Sequence, residues 1–311
     1  MKKKMKPAVL LLLLFASVYV YLEGPWTTPP GWWRAREFWP HASGPVRWRI
    51  EALRLKGIGR LPEMSWSELA RYYLPGSEAS AAGFVSLVES RGTGPCPALW
   101  HTPLGQLWGR LDDENLLEFL IIEQLIDRVY EKAKVEIRPG DTVIDVGGHL
   151  GVFTLLALSR GAGTVVVVEP EPTNIACLEK TFRDELREGS VLLVRAAAWH
   201  RRGVLAFDLP DAANTGEGRI AEGGSIQVEA RMIDEIVEEL ALERIDFIKM
   251  DIEGAERHAL AGAKQTLARF KPRLALSIYH LADDPELIPE IARDARPDYR
   301  VKTTNNVAYL H

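Results

Sequence analysis

The chain has 311 residues, of which 47% are hydrophobic and 26% are charged. This balance excludes wholesale disorder, and the length suits one large domain with an N-terminal appendage. The formal net charge of −5 gives no reason to expect a nucleic acid as the principal partner.

Residues 1–24 predict a membrane anchor. Four lysines lie within the first six residues, and an uncharged run extends from Ala8 to Leu22. As a helix this run would span about 23 Å, which is shorter than the roughly 30 Å hydrocarbon core of a bilayer. The bulky sequence after Val18 offers no small-residue cleavage site, so an uncleaved segment is expected.

Residues 25–62 are rich in Trp, Pro, Gly and Arg and predict a juxtamembrane linker. Six of the nine tryptophans lie between Trp26 and Trp66. Tryptophan favours the headgroup layer of a membrane, where its apolar ring and its polar N–H are both satisfied. A small aromatic core within the N-terminal segment is the alternative.

Residues 63–135 predict a subdomain of helices and irregular chain. A short helix is expected over Ser65–Tyr73, followed by irregular or short-stranded chain over 76–110. From Asp113 as far as Val129, apolar residues recur at three- and four-residue steps, which predicts a stronger helix. The two cysteines, Cys96 and Cys177, are too few for a disulfide framework or a metal-ligand cluster, and a buried thiol is expected for Cys177.

From residue 136 onward, predicted strands and helices alternate, as they do in α/β domains. The predicted strands are Thr142–Val146, Thr164–Glu169, Ser190–Arg195, Asp246–Met250 and Arg273–Tyr279, with a hairpin of Gly203–Phe207 and Ser225–Glu229. The predicted helices are Leu150–Ser159, Thr173–Glu185, Met232–Leu240, one after Asp251 and one from Pro285 with Asp284 as its cap. Closing strands at Tyr299–Thr303 and Val307–Leu310 fit a terminal hairpin inserted antiparallel into the sheet.

The turn after the first of these strands is the most informative motif. Gly147, Gly148 and Gly151 join that strand to a helix, and a second strand follows and ends at Glu169. Such a βαβ unit is right-handed, and its first turn faces the ligand crevice of the sheet. Glycines let the backbone approach a ligand, although a turn that only tightens strand–helix packing is the alternative. Glu169 can accept hydrogen bonds from a ribose diol, so a nucleoside-containing cofactor is predicted.

The order of residues in this turn favours one kind of cofactor. A dinucleotide-binding turn has the pattern G-x-G-x-x-G, whereas here Asp145 precedes Gly147 and Gly151. A carboxylate at this place would repel a pyrophosphate but suits a ligand that carries an ammonium and a sulfonium. S-adenosylmethionine is such a ligand, and a nicotinamide or flavin dinucleotide is the alternative.

A second motif places three acidic residues within six positions at a strand end. Asp251, Glu253 and Glu256 follow the strand Asp246–Met250. Carboxylates are costly to bury unless they are paired with a cation or hydrogen-bonded, so a ligand or metal site is indicated. The alternative, a solvated helix N-terminus stabilised by the helix dipole, explains Glu256 well and Asp251 poorly. No zinc-binding pattern occurs, and no resident metal is predicted.

Together these motifs resemble the FkbM family of S-adenosylmethionine-dependent methyltransferases. The resemblance extends from Thr102 to the C-terminus. It is carried by Pro103-Leu-Gly, Asp145-Val-Gly-Gly-His-Leu-Gly-Val-Phe-Thr, Glu169-Pro, Lys249-Met-Asp-Ile-Glu-Gly-Ala-Glu, Lys271-Pro and Ser277-Ile-Tyr-His. It implies that residues 136–311 form a doubly wound, mostly parallel seven-stranded Rossmann-like α/β sheet that binds S-adenosylmethionine.

The resemblance also implies where the cofactor lies. The residues expected around it are Asp145, Gly147, Gly148, His149 and Gly151 at the methionine part, Glu169 and Pro170 at the ribose, Ala197 near the adenine, and Asp251 beside the methyl group. Two positions depart from the family's pattern. His149 stands where the family usually has Asn, and His200 stands where an acidic residue is common.

The activity expected is methyl transfer to a hydroxyl group of a glycan, a lipid-linked sugar or a secondary metabolite. A hydroxyl acceptor needs a base, for which Glu253 and His280 are candidates, with Asp251 next to the reacting methyl. A core histidine satisfied by backbone groups is the alternative for His280. A non-catalytic, membrane-tethered cofactor-binding module and a dinucleotide-dependent oxidoreductase are the competing functions.

Two observations point to opposite sides of the membrane for the catalytic domain. The N-terminal lysines predict a cytoplasmic N-terminus, which would place the domain on the far side of the membrane if the segment spans it. S-adenosylmethionine is made in the cytosol, however. We therefore expect a membrane-associated protein whose catalytic domain lies on the cytoplasmic side. Either the segment lies in the interface or is re-entrant, or the orientation departs from the charge rule. The oligomeric state and the acceptor have no signature in the sequence.

Overall fold

The computed structural model describes residues 85–90, 94–209, 218–304 and 306–311, which all belong to the unit Glu63–His311. The predictions for the anchor at 1–24, the linker at 25–62 and the helix at Ser65–Tyr73 lie outside the described residues. Among the helices described here, none is long and apolar enough to cross a membrane.

Fourteen strands are described. They are β1 (Ser86–Ser90), β2 (Ala98–Thr102), β3 (Gly105–Gly109), β4 (Thr142–Val146), β5 (Thr164–Val168), β6 (Val191–Val194), β7 (Ala197–Ala198), β8 (Gly203–Asp208), β9 (Arg219–Ile220), β10 (Ile226–Arg231), β11 (Phe247–Met250), β12 (Arg273–Ser277), β13 (Val301–Thr303) and β14 (Val307–Leu310). The helices are α1 (Glu114–Ile121), α2 (Val152–Ser159), α3 (Pro172–Thr181), α4 (Arg183–Glu188), α5 (Ile233–Glu239), α6 (Glu256–Ala261), α7 (Lys264–Phe270) and α8 (Asp284–Ala295), with a π-helical turn at Ile122–Ile126.

The main sheet has seven strands in the order β13-β14-β12-β11-β4-β5-β6. β14 runs antiparallel to both of its neighbours, and the other described strands of this sheet run parallel. The central strands are largely apolar and buried, and β5 is a run of four buried valines after Thr164. This pattern is typical of parallel strands whose two faces are both covered by other elements. The predicted sheet and its closing antiparallel hairpin are confirmed.

Two smaller sheets lie beside the main one. β1, β2 and β3 form an antiparallel meander, and β7, β10, β8 and β9 form a four-stranded sheet. β8 and β10 pair antiparallel, with Phe207 opposite Ile226, so the predicted hairpin is confirmed.

Three predicted helices have different bounds in the structure. The helix from Asp113 is α-helical only to Ile121 and continues as the π-helical turn. The helix predicted over Thr173–Glu185 is interrupted at Phe182, whose buried ring packs against Gly151. The last helix begins at Asp284 itself, because this carboxylate accepts hydrogen bonds from Leu281 N and Arg257 instead of capping the helix.

The expectation of a buried thiol at Cys177 is wrong. Cys96 and Cys177 form a disulfide with a Cα–Cα distance of 5.4 Å, which lies within the usual range. The pairing follows from the docking of the β1–β3 sheet on α3. Trp108 N donates to Thr181 Oγ1 at 2.9 Å, and Lys180 Nζ donates to the Cys96 carbonyl at 2.7 Å.

Candidate active site

An open cleft lies at the carboxyl ends of the central strands β4, β5 and β11. The carboxyl edge is where open α/β sheets bind ligands. The residues that line it are Val146, Gly147, His149, Val168, Glu169, Pro170, Asn174, Ala196, Ala197, Ala198, Phe207, Gly218, Ile220, Asp251, Ile252, Glu253 and Ala255. Seven of the predicted site residues are therefore brought to one cleft: Gly147, His149, Glu169, Pro170, Ala197, Asp251 and Glu253.

The three glycines of the first turn have different roles. Gly147 lines the cleft with a φ of +83°, and a Cβ there would lie 2.1 Å from the Asp251 carbonyl oxygen. Gly148 and Gly151 lie behind the cleft, because Cβ atoms there would meet Val167 at 2.2 Å and Phe182 at 2.5 Å. These two glycines therefore allow strand–helix packing, which was the alternative explanation of the turn, while Gly147 allows β4 and β11 to end close together.

Asp145 is fully buried and does not line the cleft. One of its oxygens accepts a hydrogen bond from Thr154 Oγ1 at 2.8 Å, and the other lies 3.2 Å from Lys249 Nζ. Burial raises the pKa of Asp145, and Lys249 and Thr154 oppose that shift. The partner of Asp145 in the structure is therefore a lysine of the protein, and its contact with the cationic part of the ligand stays a prediction.

Glu169 is a buried carboxylate that still faces the cleft. It accepts hydrogen bonds from His149 N at 2.8 Å, from Glu171 N at 3.0 Å and from Asn174 Nδ2 at 3.3 Å. A carboxylate has about four acceptor positions, so these donors leave room for a ribose hydroxyl. Burial raises the pKa of Glu169 to about 7. Burial also lowers the pKa of His149 to about 4, so its imidazole is neutral.

Asp251 is held by two tyrosines. Tyr130 Oη donates to Asp251 Oδ2 at 2.6 Å, and Tyr279 Oη donates to Oδ1 at 3.3 Å. Burial alone would raise the pKa of Asp251, but Lys249, His280 and the Tyr130 hydrogen bond lower it below its usual value. Asp251 is therefore a fixed, ionised carboxylate at the wall of the cleft.

Glu253 reaches the cleft from a strained turn. Its φ is +55°, in the left-handed region that a non-glycine residue seldom adopts. Its side chain is 29% exposed, and burial of the remainder raises its pKa. The side chain is thus the more accessible of the two carboxylates on the β11 side, since that of Asp251 is 22% exposed.

His280 lies behind these carboxylates. Its Nε2 is 3.5 Å from oxygens of Asp251 and Glu253, and its Nδ1 is 3.1 Å from Glu256 Oε1. The ring N–H directions miss these oxygens, so the attraction is ionic. Burial alone would lower the pKa of His280, but Glu253 and Glu256 raise it to about 11. A raised pKa favours the protonated imidazolium, which suits a charge-balancing role beside these carboxylates, and the assignment of His280 as a base stays a prediction.

The same groups have donor types that suit a divalent cation. The ligand atoms of Asp251, Glu253 and His280 lie within 4.8 Å of one another, and carboxylate oxygens are preferred by hard cations. The three groups therefore have the capacity to hold one cation in place of the imidazolium charge.

Three contributing residues were not found from the sequence. No sequence pattern pointed to Tyr130 as a site residue, because its contact with Asp251 joins residues far apart in the chain. Glu123 lies on the π-helical turn, where burial and the charge of Asp251 raise its pKa to about 8. The sequence did contain evidence for Lys249, since a charged residue inside a buried, mostly apolar strand needs a partner of opposite charge or a hydrogen bond.

The fold and the cleft together define an α/β protein with a ligand cleft at the carboxyl edge of its sheet. The Methyltransferase FkbM domain matches residues 145–298. The 31-O-demethyl-FK506 methyltransferase FkbM of Streptomyces tacrolimicus is 31% identical over 178 residues, which cover 47% of this chain and 68% of the relative. The hexuronic acid methyltransferase AglP of Haloferax volcanii is 22% identical over 170 residues, which cover 55% of this chain and 69% of the relative.

A solved structure is also similar. The methyltransferase FkbM of Methylobacillus flagellatus gives a TM-score of 0.43 with 21% identity, over 65% of this chain and 56% of that chain. The chain belongs to the FkbM family of methyltransferases. It is therefore a methyltransferase whose cofactor is S-adenosylmethionine, and the remaining acceptor position of Glu169 fits this ligand.

Proposed function

We propose that the protein methylates a hydroxyl group of a glycan, a lipid-linked sugar or a secondary metabolite. The observation that carries the proposal is the position of three carboxylates on two sides of one cleft. Glu169 lies at the β5 side with an acceptor position for a ribose, and Asp251 and Glu253 lie at the β11 side. A nucleoside cofactor held at Glu169 would direct its reacting methyl group toward Asp251 and Glu253.

Each residue has a distinct task in this proposal. S-adenosylmethionine supplies a methyl group already activated on a sulfonium, so the protein mainly has to align the acceptor oxygen. Glu253, the more accessible carboxylate, accepts the proton of the acceptor hydroxyl. Asp251, fixed by Tyr130 and Tyr279, provides negative charge beside the cationic centre.

The substitution Glu253→Gln tests this assignment. It keeps the shape of the side chain but removes the proton acceptor, so we expect turnover to fall by about 10²–10⁴-fold while the Kd for S-adenosylmethionine changes little. Glu290→Gln, at an exposed position of α8, is the matched control and should leave both quantities unchanged. Unchanged turnover in Glu253→Gln would show that another group takes the proton.

The names of two relatives support oxygen and sugar acceptors. One relative is named for a 31-O-demethyl substrate and another for a hexuronic acid. We therefore propose a small molecule or a glycan as the acceptor. Comparing the metabolites and glycans of a deletion strain with those of its parent should reveal a compound that has lost a methyl group. The same compound must accept a labelled methyl group from the purified protein.

A non-catalytic cofactor-binding module is the second candidate, and its test is the same deletion strain. If no compound loses a methyl group and the purified protein binds S-adenosylmethionine without turnover on any cell extract, this candidate is favoured. Within the described residues, however, the fixed Asp251 and the accessible Glu253 are an arrangement that binding of a cofactor alone does not require.

We further propose that residues 1–24 hold the protein at a membrane, with the catalytic domain on the cytoplasmic side where S-adenosylmethionine is made. The Cys96–Cys177 disulfide makes the opposite prediction, because such bonds persist in oxidising compartments. Cells can be quenched with acid and labelled with a maleimide. Two free thiols would support the cytoplasmic side, and a closed disulfide would place the domain on the far side.

A further inference from the structure

Lys249 is a buried ammonium group to which the proposed reaction assigns no task. Its side chain is 6% exposed and lies in the middle of the sheet on β11. In the sheet register Lys249 is paired with Asp145 of β4. Because the strands are parallel, the two side chains project from the same face of the sheet.

The ammonium group joins the glycine turn to the strand beside it. Lys249 Nζ donates to the Gly147 carbonyl at 2.7 Å and lies 3.2 Å from Asp145 Oδ1. The second oxygen of Asp145 is occupied by Thr154 of α2. A single charged network therefore connects β4, β11, the start of α2 and the turn that lines the cleft.

The same ammonium lies near the support of Asp251. Nζ is 5.5 Å from the centre of the Tyr130 ring, a distance at which a cation is attracted to an aromatic face. The hydroxyl of that ring donates to Asp251 Oδ2 at 2.6 Å. Lys249 thus contacts the two parts of the cleft, the Gly147 turn and the Tyr130–Asp251 pair, that have to keep a fixed relation during methyl transfer.

We infer that Lys249 is the positioning residue of the cofactor site: it fixes the Gly147 carbonyl, and through it the turn that receives the methionine part of S-adenosylmethionine. Lys249 acts through Gly147 and Asp145 and does not line the cleft. The role of Asp145 is then to neutralise this lysine in the interior. A buried charge left without its partner is strongly destabilising, whereas removal of both charges together is tolerated.

The test uses paired substitutions, because Lys249→Met alone leaves Asp145 unpaired and is expected to unfold readily. The double variant D145N/K249M removes both charges and keeps an acceptor for Thr154. We expect its unfolding midpoint to recover most of the loss seen in the single variant. Its Kd for S-adenosylmethionine should nevertheless rise roughly tenfold, the size expected for one lost charge-assisted hydrogen bond to the turn.

A fragment of the ligand distinguishes a local effect on the Gly147 turn from a general loss of protein stability. 5′-Methylthioadenosine keeps the nucleoside but lacks the amino-acid part, so its Kd should change less than twofold in D145N/K249M. Calorimetry with the two ligands, without an acceptor, makes the result independent of the proposed reaction. An unchanged Kd for S-adenosylmethionine, or equal weakening of both ligands, would overturn the inference.

The matched control is a second buried ion pair at the opposite end of the sheet. Arg273 at the start of β12 lies 2.7 Å from Asp141, which precedes β4. The double variant D141N/R273M also removes a buried charge pair, and it should leave the Kd for S-adenosylmethionine unchanged. If this control weakened the cofactor as much as D145N/K249M does, the effect would be loss of sheet stability and the inference would fail.

Discussion

The pH dependence of cofactor binding follows from the burial of Glu169. Its folded pKa of about 7 means that the carboxylate is about 9% ionised at pH 6 and about 91% ionised at pH 8. Under the proposed contact, in which the ionised form accepts the ribose hydroxyl, the apparent Kd equals the intrinsic Kd divided by the ionised fraction. We therefore predict that the protein binds S-adenosylmethionine about tenfold more tightly at pH 8 than at pH 6.

The variant Glu169→Gln supplies the control for this measurement. It cannot ionise, so its Kd should be weaker at pH 8 and should lose the tenfold dependence on pH, whereas any titration of the ligand itself would remain. Isothermal titration calorimetry at pH 6, 7 and 8 measures both proteins. This prediction is wrong if the wild-type Kd does not change over this range, or if the Kd of the variant follows that of the wild type.

The same pKa predicts an opposite effect on stability. The folded pKa of about 7 exceeds the ordinary value of 4.5, so the folded protein binds more protons than the unfolded chain between these two pH values. The free energy of unfolding therefore falls by about 3 kcal/mol as the pH rises through this window. Without ligand, Glu169→Gln should be more stable than the wild type at pH 8 in guanidinium unfolding, although it binds the cofactor less well.

Two further predictions concern the framework of the cleft. Reduction of the Cys96–Cys177 bond, which closes a separation of 81 residues, should lower the free energy of unfolding by about 4.5 kcal/mol on chain-entropy grounds; equal denaturation curves with and without reductant would contradict it. Gly147→Ala should abolish cofactor binding, because the new Cβ would lie 2.1 Å from the Asp251 carbonyl oxygen. Gly189→Ala has a similar φ of +81° but open space around the Cβ, so this control should keep wild-type affinity, and equal loss in both variants would show backbone strain alone.

The sheet was predictable because its strands are short, mostly apolar segments whose ends are marked by polar or turn residues. Thr142–Val146 and Val307–Leu310 have the predicted bounds, since each is a short, mostly apolar segment bounded by polar or turn residues. The gathering of Glu169 and Asp251 at one edge also followed from the sequence, because parallel strands end at the same side.

The parts that were not predicted depend on contacts between distant residues. The Cys96–Cys177 bond requires the β1–β3 sheet to dock on α3, and no local sequence pattern predicts that docking. The partner of Asp145 depends on the register of β4 against β11, which brings Lys249 opposite it. A sequence shows that a charge is present, whereas only the fold shows that a neighbouring strand already neutralises it.

We propose that one cleft holds the nucleoside at Glu169 and presents the reacting methyl group to Asp251 and Glu253. A crystal structure of the complex with S-adenosylmethionine would show both contacts at once. We expect a ribose hydroxyl within about 2.5–3.0 Å of a Glu169 carboxylate oxygen, with the sulfonium methyl directed toward the β11 side of the cleft. A ligand whose ribose lies away from Glu169, or whose methyl group points away from both β11 carboxylates, would contradict it.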